Sequence, residues 1–446
     1  MSPDPARTRR GRESRFGLDT VLVAERTINP PGDELDQLGA WTAQEIPGAG
    51  SFLGALERDA LTGECTVPRD REQYRESRRA MTDHVDDPGH QHTAPDHASR
   101  AAGPIPVLRL GTARRADGTF DETFLAGLRT ALHEIGFLQL TGYGATPGQI
   151  GELTAAAARF FALPLEQRLR LDNRLSPHFR GYTRLGHEIT AGRADAREQI
   201  DFAPEQAPVP RELWDAPYRL LEGPNQWPDD TVPELRPLAG QWAGLLSTIG
   251  LELTRAIAVA LALPQDHFDH YFAGTPHWFG KLIHYAGAAD GTDQQGVGPH
   301  TDWNFLTLLL QDDTGGLQAR PAGADRWIDV PPVDGALIVN IGEMLEVATH
   351  GYLVATPHRV LPCAPGGTRD SIAFFWAPRL DASLGTVPLP HQYAEQAPGV
   401  SQSAHNVLHS RFGDNALKGW LRSHPEVAAT HHADLLAQSH TTDGSS

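Results

Sequence analysis

Two histidines and one aspartate have the residue types and the spacing of a metal site. His300 and Asp302 lie two residues apart in VGPHTDWNF, and His358 follows later in ATPHRVL. On an extended strand, residues two apart point to the same face with Cα atoms about 6.6 Å apart, so the first two side chains can bind one ion. Two neutral imidazoles and one carboxylate leave coordination positions open, a donor set that favours iron(II) binding a co-substrate and oxygen. A structural zinc site would instead be closed by protein ligands.

An arginine and a serine later in the chain have the character of a carboxylate-binding pair. Arg369 opens the segment RDSIAFFWAP, and strand alternation puts it on one face with Ser371 and Phe375. A buried arginine is costly unless it meets an anion, and its planar fork matches a carboxylate. Because the Ser371 hydroxyl adds a donor, we expect this face to bind a carboxylate, with Phe375 as a candidate for the substrate pocket.

Three further side chains near the metal candidates could line a substrate pocket. Trp303 and Phe305 follow the His300–Asp302 pair, and Asn340 is a polar residue inside the apolar segment ALIVNIG. Core packing or a satisfied hydrogen bond is the competing interpretation for each of them. The rival metal ligands, which have no carboxylate two residues away, are His277, His284 and His350.

Short β-type segments position these candidates in the second half of the chain. From about residue 277 onward, apolar runs alternate with Gly, Pro and Asp, which is typical of an antiparallel barrel or jelly roll. The runs are WFGKLIHYA, NFLTLLLQ, WIDVPP, ALIVNIG, YLVATPHRVL and DSIAFFWAP. The candidate site residues therefore lie in or beside different strands of one barrel.

Helical segments precede and follow these strands. A β-α-β opening runs from IPVLRL to GFLQLTGYG with a helix over 120–135, and further helices are predicted over 147–161 and 165–171. A long helix is predicted over 232–263, softly broken at two internal glycines. The last helical segment is predicted within 405–436.

These patterns divide the chain into four regions. Residues 1–103 are rich in Asp, Glu, Arg, Pro and Gly and are expected to form a disordered polar extension. Residues 104–230 are expected to form a mainly helical α/β lead-in, and residues 231–400 the long helix with the jelly-roll core. Residues 401–446 are expected to form a C-terminal helical segment and tail.

Composition restricts the partners and the compartment. A formal net charge of −18 argues against nucleic acid and anionic lipid, so a small-molecule substrate is expected, while protein partners stay unknown. The two cysteines, Cys65 and Cys363, exclude a disulfide framework and a zinc site made of cysteine pairs. No membrane span or secretory signal is apparent, which predicts a cytoplasmic location.

In combination the motifs resemble the isopenicillin N synthase-like branch of the 2-oxoglutarate/Fe(II)-dependent dioxygenases. The resemblance covers about residues 104–440 and rests on HTDWNFLTLLLQDDTGGLQ, WIDVPPVDGALIVNIGEMLE, TPHRVL and RDSIAFF, in that order. It implies an α+β fold with a mainly β core: a double-stranded β-helix, or distorted jelly roll, with flanking helices. It also implies a set of site residues. These are His300, Asp302 and His358 as iron ligands, Arg369 and Ser371 as the clamp for the 2-oxoglutarate carboxylate, and Tyr285 as a further contact to that carboxylate.

The resemblance implies an oxidoreductase that hydroxylates, desaturates or cyclises a small, specialised metabolite. Fe(2+), 2-oxoglutarate and O2 would be required, ascorbate would stimulate turnover, and succinate and CO2 would be released. Two alternatives stay open at this point. One is an isopenicillin N synthase-like oxidase that needs no 2-oxoglutarate, and the other is a jelly-roll module that binds a metal or ligand without catalysis.

Overall fold

The computed structural model describes residues 105–287, 294–400 and 408–436. It also describes the backbone of two short antiparallel strands, β1 (Glu57–Arg58) and β2 (Cys65–Thr66). The interpretation of residues 1–103 as a polar extension otherwise lies outside the described residues. Contacts divide the chain into two units, and the unit that spans residues 98–445 contains every candidate site residue.

The second unit opens with the expected strand-helix-strand arrangement. Its first elements are β3 (Val107–Arg109), α1 (Glu122–Glu134), β4 (Phe137–Thr141), α2 (Pro147–Phe161) and α3 (Leu165–Arg168). Strands β3 and β4 pair in parallel. Helix α1 begins where the Asp121 carboxylate accepts hydrogen bonds from two free backbone N–H groups, and α2 begins with a capping box between Thr146 and Gln149.

The region before the long helix also contains strands that the hydrophobic pattern did not predict. These are β5 (Gly181–Thr183), β6 (Ile189–Thr190), β7 (Arg193–Ala194) and β8 (Arg197–Phe202). Every residue of β8 is buried although its sequence, REQIDF, is mostly polar or charged. The lead-in therefore contains strands beside its helices, and β8 escaped prediction because it is buried through ion pairs and hydrogen bonds that leave no apolar alternation to detect.

The predicted long helix forms as α4 (Leu235–Ala260) and is continuous through Gly244 and Gly250, where soft breaks were expected. A Cβ atom at Gly250 would lie 2.7 Å from Cγ of Trp376, so this glycine allows the helix to approach the sheet closely. Among the described residues, α4 is the one helix long and apolar enough to cross a membrane. Because 56% of its most apolar 18-residue stretch is buried inside the protein, α4 has the character of a core helix. The short helix α5 (Asp269–Phe272) follows.

Two sheets form the predicted jelly roll. The large sheet contains four strands introduced above together with β9 (Phe279–Ala286), β11 (Leu306–Gln311), β14 (Leu337–Ile341) and β16 (Thr368–Trp376). Its strand order is β3-β4-β14-β11-β16-β9-β8-β5. The small sheet contains β10 (Val297–His300), β12 (Leu317–Ala319), β13 (Ile328–Asp329) and β15 (His358–Val360), in the order β10-β15-β12-β13. Phe137 and Ile283 of the large sheet share one apolar cluster with Leu317 and Val360 of the small sheet. The two sheets therefore pack face to face.

The strand registers align inward-facing side chains in rows across the large sheet. Arg197, Tyr285 and Arg369 are successive partners on β8, β9 and β16, and Phe279 and Phe375 are partners on β9 and β16. Cross-strand partners project from the same face, so one row places Tyr285 between two arginines and the other row pairs two phenylalanines.

Short helices complete the described unit. They are α6 (Glu343–Ala348), α7 (His391–Ala394), α8 (Phe412–Ser423) and α9 (Pro425–His431). Helices α8 and α9 lie within the C-terminal segment that was expected to be helical. Trp420 of α8 packs edge-on against Phe279 of β9, with ring centroids 5.3 Å apart, so the C-terminal helices border the interior of the barrel.

Candidate active site

The structure brings the three metal candidates together between the sheets. His300 on β10 and His358 on β15 are direct register partners, and their ring centroids are 4.2 Å apart. Nε2 of each histidine lies 3.7 Å from a different carboxylate oxygen of Asp302. The three ligand atoms lie within 4.8 Å of one another, and no other such group of three occurs in the described ranges. Donors that each bind one ion at about 2.1 Å lie at most roughly 4.2 Å apart, so this set fits a metal with small side-chain shifts.

Asp302 reaches this position in a different way from the one expected. Strand β10 ends at His300, so Asp302 is not on the strand and strand alternation does not orient it. Instead, its Oδ2 accepts hydrogen bonds from Thr307 Oγ1 at 2.5 Å and from Asn340 Nδ2 at 2.8 Å. Asn340, a candidate for the substrate pocket, therefore holds Asp302 in place and does not line the cavity described below.

Backbone carbonyls orient the two imidazoles. Nδ1 of His300 lies 2.8 Å from the carbonyl oxygen of Gly298, and Nδ1 of His358 lies 3.1 Å from that of Thr356. When each Nδ1–H donates to its carbonyl, the Nε2 lone pair is left facing Asp302. This is the tautomer that binds a metal through Nε2.

The charge states of His300 and Asp302 also suit a metal. Burial and the neighbouring His358 lower the pKa of His300 to about 4, so its imidazole is neutral at neutral pH. Burial on its own raises the pKa of Asp302. The two histidines and the hydrogen bonds from Thr307 and Asn340 outweigh burial, and the pKa of Asp302 lies below its usual value. The site therefore offers imidazole nitrogen and ionised carboxylate oxygen, the donors that iron(II) accepts.

Arg369 and Ser371 lie inside the same barrel with donors left unpaired. The Arg369 side chain is buried, and it donates from Nε to the Gly315 carbonyl at 2.7 Å and from Nη2 to Gln311 Oε1 at 3.1 Å. Nη1 of Arg369 and Oγ of Ser371 have no hydrogen-bond partner among the described residues. The guanidinium carbon lies 4.8 Å from the ring centroid of Tyr285. Buried donors without acceptors cost free energy, and a carboxylate would satisfy both.

A cavity of about 1200 Å³ opens beside the metal site and is lined by His300 and Asp302. Part of its wall is aromatic: Phe279 stacks on Phe375 with centroids 4.1 Å apart and on Trp303 with centroids 5.0 Å apart. Trp303 and Phe375 therefore line a cavity, as the sequence suggested.

Phe305 was also a pocket candidate, but the structure places it elsewhere. Its side chain is fully buried in the main core against Phe268 and Phe272, with ring centroids 5.4 and 5.3 Å away. Phe305 is not one of the described residues that line the cavity. Its proximity in sequence to Asp302 did not predict the direction of its side chain.

Sequence reasoning missed several charged residues that line the cavity, among them Glu188, Arg197 and Lys281. Glu188 precedes the β6–β7 hairpin and Arg197 begins β8, where no chemical motif marks them. Lys281 did carry a signal, because a lysine two residues from Phe279 and from Ile283 in an apolar strand points to the buried face.

The rival histidines have other environments. His277 is buried, and burial with repulsion from Arg180 lowers its pKa to about 3. His284 lies 2.8 Å from Asp370, and the hydrogen bond between them raises the pKa of His284. His350 has a positive φ of 53°. None of them joins the three metal candidates in the described part of the chain.

Two family models match the chain. The model described as the N-terminal part of non-haem dioxygenase in morphine synthesis matches residues 105–230, and the model of the 2OG-Fe(II) oxygenase superfamily matches residues 279–378. The second match contains the three metal candidates and the Arg369–Ser371 pair.

Individual proteins agree with the family models. The chain is 36% identical over 292 residues to 2-oxoglutarate-dependent dioxygenase frbJ of Dothideomycetidae sp. (strain 11243), covering 64% of this chain and 77% of that protein. It is 34% identical over 264 residues to homoarginine-6-hydroxylase 2-ODD-C23.1 of Arabidopsis thaliana, covering 57% and 76% respectively. A 2OG-Fe(II) oxygenase family protein of Caulobacter crescentus has a similar structure, with a TM-score of 0.57 at 25% identity, over 71% of this chain and 98% of that one.

The chain belongs to the 2OG-Fe(II) oxygenase superfamily. It is an Fe(II)- and 2-oxoglutarate-dependent enzyme with a jelly-roll core, which confirms the fold, the enzyme class and the cofactors expected from the sequence. The similarity is consistent with the isopenicillin N synthase-like branch. The interpretation as a binding module without catalysis does not hold.

Proposed function

We propose that this oxygenase oxidises a C–H bond of a small metabolite, by hydroxylation, desaturation or ring closure, while 2-oxoglutarate is converted to succinate and CO2. His300, Asp302 and His358 hold the iron, and Arg369 with Ser371 binds the distal carboxylate of 2-oxoglutarate. The observation that carries this proposal is the presence, inside one barrel, of a three-donor cluster and of two buried donors that have no acceptor.

Bound iron(II) supplies the redox chemistry that side chains cannot perform. The side chains supply position and charge. Three protein donors leave coordination positions for the co-substrate and oxygen, and the hydrogen bonds to Asp302 and to both imidazoles fix the donors before a metal arrives.

The clamp residues orient the co-substrate. Nη1 of Arg369 and the hydroxyl of Ser371 each donate to the carboxylate, and the Tyr285 ring packs against the guanidinium and limits its movement. Tyr285 is a further candidate contact to the same carboxylate. The aromatic stack of Phe279, Phe375 and Trp303 gives part of the cavity an apolar wall.

One relative suggests a substrate class. The name of the Arabidopsis thaliana relative says that it hydroxylates homoarginine, which is a free α-amino acid. We extend the proposal to an amino acid or a closely related small molecule as the substrate. The 34% sequence identity to this relative supports the chemical class of the substrate.

Oxygen uptake and succinate release test the proposal. Purified protein is incubated with Fe(II), ascorbate and a metabolite panel, with and without 2-oxoglutarate. We expect succinate to appear in step with 2-oxoglutarate consumption, and its rate to rise when the substrate is present. Substrate turnover at an undiminished rate without 2-oxoglutarate would contradict the proposal and favour an isopenicillin N synthase-like oxidase, whose Arg-x-Ser pair binds the substrate's own carboxylate.

A further inference from the structure

Part of the cavity wall carries a row of alternating charges. Oε1 of Glu188 lies 3.1 Å from Nζ of Lys281 and 3.2 Å from Nη2 of Arg197. All three side chains line the cavity beside the metal site, and each is at least nine-tenths buried. Along the wall the charges therefore read positive, negative, positive.

Acidic groups behind the row hold it in place. Nη2 of Arg197 also lies 3.1 Å from Asp195, and Nζ of Lys281 lies 2.8 Å from Asp201. Burial on its own raises the pKa of Glu188, but Arg197 and Lys281 outweigh burial and hold that pKa below its usual value. Glu188 is therefore ionised at neutral pH, and the row is preorganised for a charged ligand.

The two cations in this row have N–H groups that can still donate hydrogen bonds to a ligand. Nε of Arg197 is buried without a hydrogen-bond partner among the described residues, and the same is true of the Trp420 indole N–H. The Trp420 ring also lines the cavity, and Nζ of Lys281 lies 5.1 Å from its centroid. An ammonium group has three N–H donors, and the carboxylates of Glu188 and Asp201 occupy two directions around Lys281. Unpaired buried donors favour a ligand that brings acceptor oxygens.

A backbone connection links this row to the metal site. Oδ1 of Asp195 accepts a hydrogen bond of 3.3 Å from the Gly298 amide, and the Gly298 carbonyl oxygen lies 2.8 Å from Nδ1 of His300. Through Asp195, the position of Arg197 is tied to the strand that carries a metal ligand. A substrate group bound by the row is thus held at a defined distance from the reacting centre.

On the basis of the proposed function, we propose that the charged row of Glu188, Arg197 and Lys281 binds the head group of a free α-amino acid substrate. The substrate ammonium group binds Glu188, and the substrate carboxylate binds Arg197 and Lys281. An ammonium next to a carboxylate complements a row of alternating charges, whereas a single charge of either sign meets repulsion from a neighbour in the row. The substrate side chain then lies along the stacked rings of Phe279 and Phe375, towards the metal.

A panel of matched probes tests this assignment. The free L-α-amino acids are compared with their N-acetyl derivatives, their methyl esters, the corresponding amines and the corresponding des-amino acids. Binding is measured as the rise in Tm of the protein loaded with Mn(II) and 2-oxoglutarate without oxygen, and turnover as amino-acid-dependent succinate release. We expect at least one free amino acid to raise both signals, and each single-charge probe of that compound to bind at least tenfold more weakly.

Two variants test whether the charged row is responsible for binding the amino acid. Glu188→Gln should weaken binding of that amino acid at least tenfold, and Lys281→Met should do the same. The control Glu252→Gln removes a carboxylate that pairs with Arg114 outside the cavity and should leave the affinity unchanged.

The outcomes separate this inference from the proposed function. If succinate forms from 2-oxoglutarate without an amino acid, or if another metabolite stimulates it, the proposed function stands. The inference is overturned in that case if no free amino acid binds, if a single-charge probe binds equally well, or if Glu188→Gln binds as the wild type does. Absence of any 2-oxoglutarate turnover would overturn the proposed function itself.

Discussion

Asn340 donates a hydrogen bond of 2.8 Å to Oδ2 of Asp302, the same oxygen that accepts from Thr307. The other oxygen, Oδ1, faces Nε2 of His300 at 3.7 Å. Two donors thus restrict one oxygen and leave the other available to a metal. The polar residue in the apolar strand β14 is explained by this contact across the barrel.

Removing that donor should weaken metal binding. Asn340→Ala leaves Asp302 with one fewer orienting hydrogen bond, and loss of such a partner to a ligand typically lowers metal affinity about 10- to 100-fold. The measurement is the Kd for Fe(II) or Mn(II) by anaerobic titration. The control Asn225→Ala removes an amide that bonds the backbone of Ala203 elsewhere in the fold. Equal losses of metal affinity in the two variants would contradict the role assigned to Asn340.

Substitution of the clamp residues Arg369 and Ser371 should selectively weaken the binding of 2-oxoglutarate. Hydrogen bonds to a charged group such as a carboxylate contribute about 1.5 to 3 kcal/mol each, so Arg369→Gln should raise the KM for 2-oxoglutarate about 100-fold, and Ser371→Ala about tenfold. The matched control is Arg359→Gln on β15, because Arg359 bonds to Gln318 and is not among the described cavity residues. An Arg369→Gln variant with a changed metal Kd and an unaltered KM for 2-oxoglutarate would contradict the role of Arg369 in the clamp.

The burial of His277 should make the folded protein less stable in acid. Its pKa is lowered to about 3 in the folded protein, against about 6.5 when unfolded, mainly because of burial and also because Arg180 is near. Between these values the unfolded state binds more protons, so stability falls as pH decreases through this window, by up to about 1.4 kcal/mol per pH unit.

Urea unfolding of the wild type and of His277→Gln from pH 7 to pH 4 measures this contribution. We expect the pH dependence to be shallower in the variant, and to be unchanged in His391→Gln, whose side chain is 88% exposed. Identical slopes for the wild type and His277→Gln would show that His277 is not buried in its neutral form.

Two glycines of helix α4 should respond to alanine in opposite ways. At Gly250 an added Cβ would lie 2.7 Å from the Trp376 ring, so Gly250→Ala should destabilise the protein by about 1 to 3 kcal/mol. At Gly244 an added Cβ meets nothing within 4 Å, so Gly244→Ala should stabilise the helix by roughly 0.5 to 1 kcal/mol. The free energy of unfolding in urea provides the test, and a gain in stability for Gly250→Ala would argue against the close packing of α4 on β16.

Much of the barrel could be predicted from the sequence because its strands are bounded by turn residues and contain apolar runs. The segments predicted around Phe279, Leu306, Leu337 and Thr368 are the four strands that dominate the large sheet. The metal candidates and the Arg369–Ser371 pair could be chosen because their residue types have few other uses in a barrel interior. Burial of Arg369 beside Ser371 agrees with that reasoning.

The features of the fold and of the site that the sequence did not predict depend on contacts that local sequence patterns do not reveal. Strand β8 buries charged side chains such as Arg197 and Asp201, whose partners Glu188 and Lys281 lie outside this strand. The orientation of Asp302 depends on Asn340, which is on another strand. Phe305 packs into the core because helix α5 approaches it through Phe272, a contact that residue spacing alone cannot supply.

The most direct test of the account is the absorption spectrum of the protein with Fe(II) and 2-oxoglutarate under anaerobic conditions. If His300, Asp302 and His358 hold iron next to a clamped 2-oxoglutarate, a weak visible charge-transfer band should saturate at one Fe(II) per chain. The band should be lost in His358→Ala and should need more 2-oxoglutarate in Arg369→Gln. A wild-type protein without this band, or a His358→Ala variant that retains it at full strength, would contradict the assignment.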